Sequence, residues 1–126
     1  MTETAFKPIV YLKQNCGFCL KVRIFLLEAG MAQDVETRDF VPGTPEEDVI
    51  RGELAPHFDK VSFPAAQLEP DQYIAESDAI IAFLEAKSGR KTTSMPVYTN
   101  YVDGIFSMAM ALWTENQELK KAAAGA

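Results

Sequence analysis

The chain has 126 residues, with 12 Lys and Arg against 18 Asp and Glu for a formal charge of −6, two Cys and one His. A single domain of this length buries roughly two thirds of the surface its unfolded chain exposes, so it needs neither a disulfide scaffold nor a structural metal. The acidic balance argues against nucleic acid as a partner, because duplex affinity depends on Lys and Arg neutralising phosphates, and no apolar run approaches the roughly 18 residues that span a bilayer. Met1 to Pro8 also lacks the charged and apolar regions of a secretory leader, which predicts a cytoplasmic protein whose thiols are kept reduced.

Pro8-Ile-Val-Tyr-Leu12 is a short β-rich apolar run and reads as a buried strand. From Gly17 to Ala29, apolar Phe18, Val22, Phe25, Leu26 and Ala29 recur at helical spacing, and Gly30 follows as a stop. Residues 35–40 form a second, half-exposed strand. Thr44-Pro45-Glu46-Glu47 opens a second helix with a cap, Pro at the first position and Glu three residues after the cap. That helix fades between Gly52 and Pro56. Residues 63–68 and 73–75, joined by Glu-Pro-Asp-Gln, make a hairpin, and Ser77 caps a third helix that Ser88-Gly89 ends. The order is strand, helix, strand, helix, strand, strand, helix, an α/β pattern with one parallel crossover and added antiparallel strands. A polar linker at 89–94 leads to one long helix over 97–119. Its stripe is Tyr98, Tyr101, Val102, Ile105, Met108, Ala109 and Leu112, with Phe106, Met110 and Trp113 beside it. The Lys-Lys-Ala-Ala-Ala-Gly-Ala tail is expected to fray.

The chemistry lies at Cys16-Gly-Phe-Cys19, the junction of the first strand and the first helix. A helix presents unpaired N–H groups and the positive end of its dipole there, which acidifies a thiol. Cys16 at the cap is the more exposed, lower-pKa thiol, and Lys13 favours its thiolate further. Cys19 lies one turn in, at about 5 to 6 Å between Cβ atoms, close enough for a disulfide after a small adjustment. A protein-only zinc site lacks donors, since His57 is the one other soft ligand. Charge supports this location: residues 1–33 hold four basic against two acidic side chains, while residues 34–78 hold twelve acidic against three basic. Helix capping alone also accounts for Glu76-Ser77-Asp78, and a strand-start proline alone accounts for Pro64.

Lys13-Gln-Asn-Cys16-Gly-Phe-Cys19 resembles the active-site segment of glutaredoxins, which carry a Lys three residues before the first Cys. Phe63-Pro64 with Ala-Ala-Gln-Leu is similar to the Val-Pro segment of glutaredoxins and glutathione transferase N-terminal domains. Glu76-Ser77-Asp78 and the helix after it resemble the Glu-Ser motif of those transferase domains. Together these cover nearly all of residues 7–88. The resemblance implies a thioredoxin-like fold with an additional C-terminal helix, and glutathione as co-substrate. It implies Cys16 and Cys19 as catalytic residues, Pro64 as a cis proline facing them, and the Phe63 backbone pairing with the cysteinyl part of glutathione. By the same resemblance Ser77 receives the γ-glutamyl carboxylate, Glu76 or Asp78 holds the α-amino group, and Lys13 meets the other carboxylate.

Two departures are plain. Glutaredoxins usually carry Pro-Tyr between the cysteines, and Gly17-Phe18 is closer to the monothiol subgroup, whose second Cys is a Ser. That subgroup can share an iron–sulfur cluster between two subunits through glutathione, which stands as an alternative to the expectation of no metal. The transferases also carry a long helical second domain, of which one helix could be present here. The expected organisation is a thioredoxin-like domain at 1–88, a linker at 89–94 and a helical extension at 95–126.

The leading expectation is a glutathione-dependent thiol–disulfide oxidoreductase acting on disulfide-containing or glutathionylated proteins. The alternatives are a glutathione transferase-like enzyme and a non-catalytic glutathione- or protein-binding module. The apolar band of the last helix is expected to pack on the first and third helices or to pair with a second copy in a homodimer.

Overall fold

Successive side chains of a strand point to opposite faces, and the first strand of this protein is apolar on both. The computed structural model describes residues 6–125; Ala126 and residues 1–5, on which the leader reading partly rests, lie outside them. The elements in chain order are β1 (Ile9–Lys13), α1 (Gly17–Glu28), β2 (Glu36–Phe40), α2 (Pro45–Leu54), β3 (Ala65–Glu69), β4 (Gln72–Ala75) and α3 (Ser77–Ser88). After α3 come α4 (Pro96–Asn100), a π-helical turn (Tyr101–Phe106) and α5 (Ser107–Gly125).

The sheet order is β2-β1-β3-β4, with β1 parallel to β2 and the β1–β3 and β3–β4 pairs antiparallel. This is the parallel pair with added antiparallel strands expected from the order of elements, and the thioredoxin-like arrangement that the resemblance implies. Val10 and Leu12 of β1 join Val22, Phe25, Ile80 and Leu84 in the larger core under α1 and α3. Tyr11 turns to the other face and packs with Phe40, Ile50 and Leu54 beneath α2. One strand thus anchors both layers.

Two local expectations are corrected. Ser77 is not the cap of α3 but its first residue; the cap is Glu76, which turns the chain out of β4 with a left-handed φ of 80°. A non-glycine residue in that region is strained, and such strain concentrates at functional sites. The second correction concerns the last helix. Only its start docks: Tyr98 and Phe106 are buried and Tyr101 and Val102 half-buried, whereas Leu112 and Trp113 are 59% and 57% exposed and α5 buries no residue. The expected packing along the whole stripe fails because α4 meets α1 near Phe25 and the π-helical turn meets it at Gly17 and Phe18, and α5 then runs on past them. The tail expected to fray is helical through Gly125.

The docked end is fixed by Glu28, the last residue of α1. Its carboxylate accepts the Val97 N–H at 3.1 Å and also that of Tyr98, satisfying two orphan donors of α4 and complementing the helix dipole. Replacing Glu28 with Ala removes both acceptors, for an expected loss of about 1 kcal/mol. Chemical denaturation should show a lower midpoint at unchanged slope; an unchanged midpoint would mean that water serves these donors equally well.

Candidate active site

The site begins with a turn that sequence chemistry permits. Gln14 N–H donates to the Phe40 carbonyl at 3.0 Å, and Asn15 takes a left-handed φ of 60°, a conformation Asn tolerates better than most residues. The chain is thereby swung so that Cys16, in extended conformation, becomes the cap of α1. Both cysteines are free thiols, Cys16 half-buried and Cys19 fully buried.

Cys19 connects strand to helix. The Lys13 backbone N–H donates to its sulfur at 3.3 Å, and its own thiol donates to Cys16. That thiol hydrogen bond is the main reason the Cys16 thiol is lowered to about 5; burial opposes it, while the Cys19 and Phe18 amides and the Lys13 charge add to it. Cys16 makes no close cap hydrogen bond, so the amides act on its sulfur as nearby dipoles. Cys19 moves the other way, raised by the hydrogen bond its thiol gives to Cys16, which keeps the proton on Cys19, and by burial. The pair is therefore split into one ready nucleophile and one retained proton.

The other expected residues gather on the far side of Gly17. A hollow of about 260 Å³ is lined by Phe18, Phe63, Pro64, Glu76, Ser77 and Asp78, together with Ser62. The Phe63–Pro64 bond is cis, and Phe63 packs edge-on against Phe40 with centroids 4.7 Å apart. Lys13 and Cys16 line a separate hollow of about 360 Å³ with Gln14, Asn15, Gly17, Leu20 and Arg23. The expected set thus divides in two, with the Gly17-Phe18 segment between the halves.

Sequence reasoning missed three participants. Lys21 is buried in α1, with 7% of its side chain exposed, and is ion-paired to Asp78, whose side chain is 88% exposed. Asp78 is therefore partly committed to α1, and among the described residues Glu76 carries no ion pair. The signal for Lys21 was present: it lies three residues after Phe18 and four before Phe25, on the apolar stripe. The other two are Tyr101 and Phe106. Tyr101 donates its hydroxyl to the Gly17 carbonyl at 2.8 Å and stacks on Phe106, which meets Phe18 edge-on at 5.1 Å. A Cβ on residue 17 would stand 2.6 Å from the Phe106 ring. Glycine in place of the more usual proline is thus the mark of a ring lying on the motif. Among the described residues, no cluster of three His, Cys, Asp or Glu side chains is placed to hold a metal, and no helix is long and apolar enough to cross a membrane.

A family profile described as the N-terminal domain of glutathione S-transferase matches residues 15–87, more than half of the chain. The chain belongs to that family. The match spans Cys16, the Phe63–Pro64 bond and the start of α3, the parts from which the two hollows are built. No curated protein matches the sequence of this glutathione S-transferase-type domain. Among solved structures it resembles a glutathione S-transferase from the Antarctic clam Laternula elliptica at 22% identity and a TM-score of 0.52, covering 68% of this chain and 36% of that one. It also resembles glutathione transferase Omega 2C from Trametes versicolor at 22% identity and a TM-score of 0.49, covering 74% and 40%. The chain spans between about a third and two fifths of the length of these structures.

The acid–base split at the domain's cysteines has a direct test. Because the Cys16 pKa is depressed, the reactive thiolate is present above about pH 5 and is lost as pH falls through that value. Alkylation of the native protein should therefore modify one thiol rapidly, with a rate that halves near pH 5. In Cys19→Ala the donated proton is gone and the midpoint should rise by about one unit or more. A midpoint that stays in place would assign the acidity to the helix amides and Lys13 instead.

Proposed function

We propose that this domain is a glutathione-linked thiol–disulfide oxidoreductase of the reducing cytoplasm, with Cys16 as its nucleophile. The observation that carries the reading is the half-buried Cys16, lowered to about 5 at the N-terminus of α1, above a buried Cys19 that keeps its proton. The Cys16 thiolate attacks the glutathione sulfur of a mixed disulfide; a Cys16–glutathione bond forms as the old S–S bond breaks, and the substrate leaves as a thiolate. A second glutathione thiolate then attacks that bond, releasing oxidised glutathione and restoring Cys16. Cys19, whose pKa is raised, is poorly suited to resolve the intermediate, which favours the monothiol course.

In this reading glutathione lies in the hollow lined by Phe18, Phe63 and Ser77, on the side of Phe18 away from the Phe106 ring, and turns its sulfur toward Cys16. Ser77, at the first position of α3, offers its amide and hydroxyl to the γ-glutamyl carboxylate. Glu76 takes the α-amino group, with the remaining oxygen of Asp78 beside it. The Phe63 backbone ahead of Pro64 pairs with the cysteinyl unit, and Lys13 meets the second carboxylate.

Membership of the glutathione S-transferase family favours a second reading, in which glutathione is conjugated to an electrophile and Cys16 steadies the bound thiol. Turnover separates the two. With a glutathione mixed disulfide as substrate, Cys16→Ser should lose at least about 100-fold of the activity and Cys19→Ser should keep most of it. Inertness of the wild type there, with conjugation of an aromatic halide, would overturn the first reading in favour of the second. Inertness in both, with no thermal stabilisation by glutathione, would leave neither.

The same proposal includes self-association through the exposed face of the π-helical turn and α5, where Ile105, Met108, Leu112, Trp113 and Leu119 stand out into solvent. Light scattering at micromolar concentration should give twice the chain mass, and a strict monomer would remove this part of the proposal.

A further inference from the structure

The C-terminal helix touches the cysteine motif at one backbone group, the carbonyl of Gly17. A carbonyl and the N–H of the next residue belong to one planar, resonance-coupled peptide unit. Here the two ends of that unit have different neighbours: the Gly17 oxygen accepts the Tyr101 hydroxyl at 2.8 Å, and the Phe18 N–H is one of the unpaired first-turn donors of α1, two residues after Cys16 at the cap. We infer that Tyr101 is a positioning residue for Cys16, acting through the Gly17–Phe18 peptide unit that its hydroxyl grips from the C-terminal helix. The inference rests on Cys16 being the reacting thiol of the proposed function.

Three observations carry it. The first is electronic: donation to a carbonyl draws charge toward its oxygen and strengthens the N–H at the other end of the unit as a donor. Tyr101 therefore reaches the sulfur without touching it. The second is steric. The hydroxyl comes so close because residue 17 has no side chain; a Cβ there would lie 3.2 Å from the Tyr101 oxygen and 2.6 Å from the Phe106 ring. The third is helical geometry. Residues five apart lie about 140° around an α-helix from each other, yet Tyr101 and Phe106 stack with centroids 5.3 Å apart and planes 22° from parallel. The π-helical turn over Tyr101–Phe106 brings them to one face, and such turns recur at functional sites. Phe106 is in turn braced by Phe18, so the phenol is held rather than merely near. Burial, and then the Cys16 charge, raise the Tyr101 phenol above its ordinary value, which keeps it a donor over the working pH range.

The consequence is a link between two parts of the fold. Docking of α4 and the π-helical turn sets the acidity of a thiol on α1. A change that lifts the helix from Gly17 raises the Cys16 pKa even where no group at the cysteines is altered.

Alkylation of the full chain by iodoacetamide, followed between roughly pH 4 and pH 8, reads this link without requiring turnover. In Tyr101→Phe the midpoint should rise by about half a unit, a roughly threefold smaller thiolate fraction on the acid side. Tyr98→Phe, which removes a hydroxyl from the same helix but not from Gly17, should leave the midpoint in place. Gly17→Ala, which pushes the rings off, should also raise it, and the double variant Gly17→Ala/Tyr101→Phe should show no more than the larger single effect. An unmoved midpoint in Tyr101→Phe, an equal shift in Tyr98→Phe, or full additivity in the double variant would each overturn the inference; circular dichroism and thermal melting confirm that each variant is folded. A wild type with this titration but no reductase turnover would refute the proposed function and leave the link standing. A wild-type midpoint at the ordinary cysteine value would refute the reading of Cys16 as an activated nucleophile.

Discussion

The sulfur of Cys19 is where strand, helix and chemistry meet. It accepts the Lys13 amide at the end of β1 and donates its proton to Cys16 at the start of α1. Both bonds depend on its complete burial, because a thiol in water would exchange them for solvent. The Val22, Phe25 and Leu12 side chains around it supply that burial. The core under α1 is thus part of the site: it fixes the direction of the proton and with it which of two chemically identical cysteines is the thiolate.

The second constraint is the close approach at Gly17. Two aromatic rings from a segment some 84 residues later in the chain sit on the cysteine motif, and they reach it because Glu28 caps α4 at the opposite end of α1. One helix therefore holds the C-terminal segment at both its ends. Beyond Phe106, no residue of α5 is buried among the described residues, and α5 carries its apolar side chains into solvent.

A third connection runs across the site. Lys21 of α1 is paired with Asp78 in the first turn of α3, so the helix that bears Cys16 and the helix that bears Ser77 are tied by charge as well as by the Val22, Ile80 and Ile81 core. A buried ammonium demands a partner, and the pair ties the helix that follows Cys16 to the first turn of α3.

The order of elements, the apolar strand β1, the amphipathic α1 and the acidified Cys16 were legible because each follows from neighbours in sequence: period-two and period-3.6 patterns, a cap, a three-residue spacing. The Glu76 backbone was not, since Ser77 is the better local cap and only the turn out of β4 moves the cap back by one residue. Nor was the far end of the helical extension, whose stripe looks alike along its length. Whether a residue on that stripe is buried depends on where α4 crosses α1, a contact between segments far apart in the chain. Glycine at position 17 marked a departure from the usual motif, but its reason lies in Phe106. The sequence by itself determined which residues could be strand, helix and nucleophile, because those are local energies; the tertiary structure alone decided which carbonyl Tyr101 grips, which lysine is buried and which half of the last helix faces water, because those depend on the packing of surfaces brought together only by the fold.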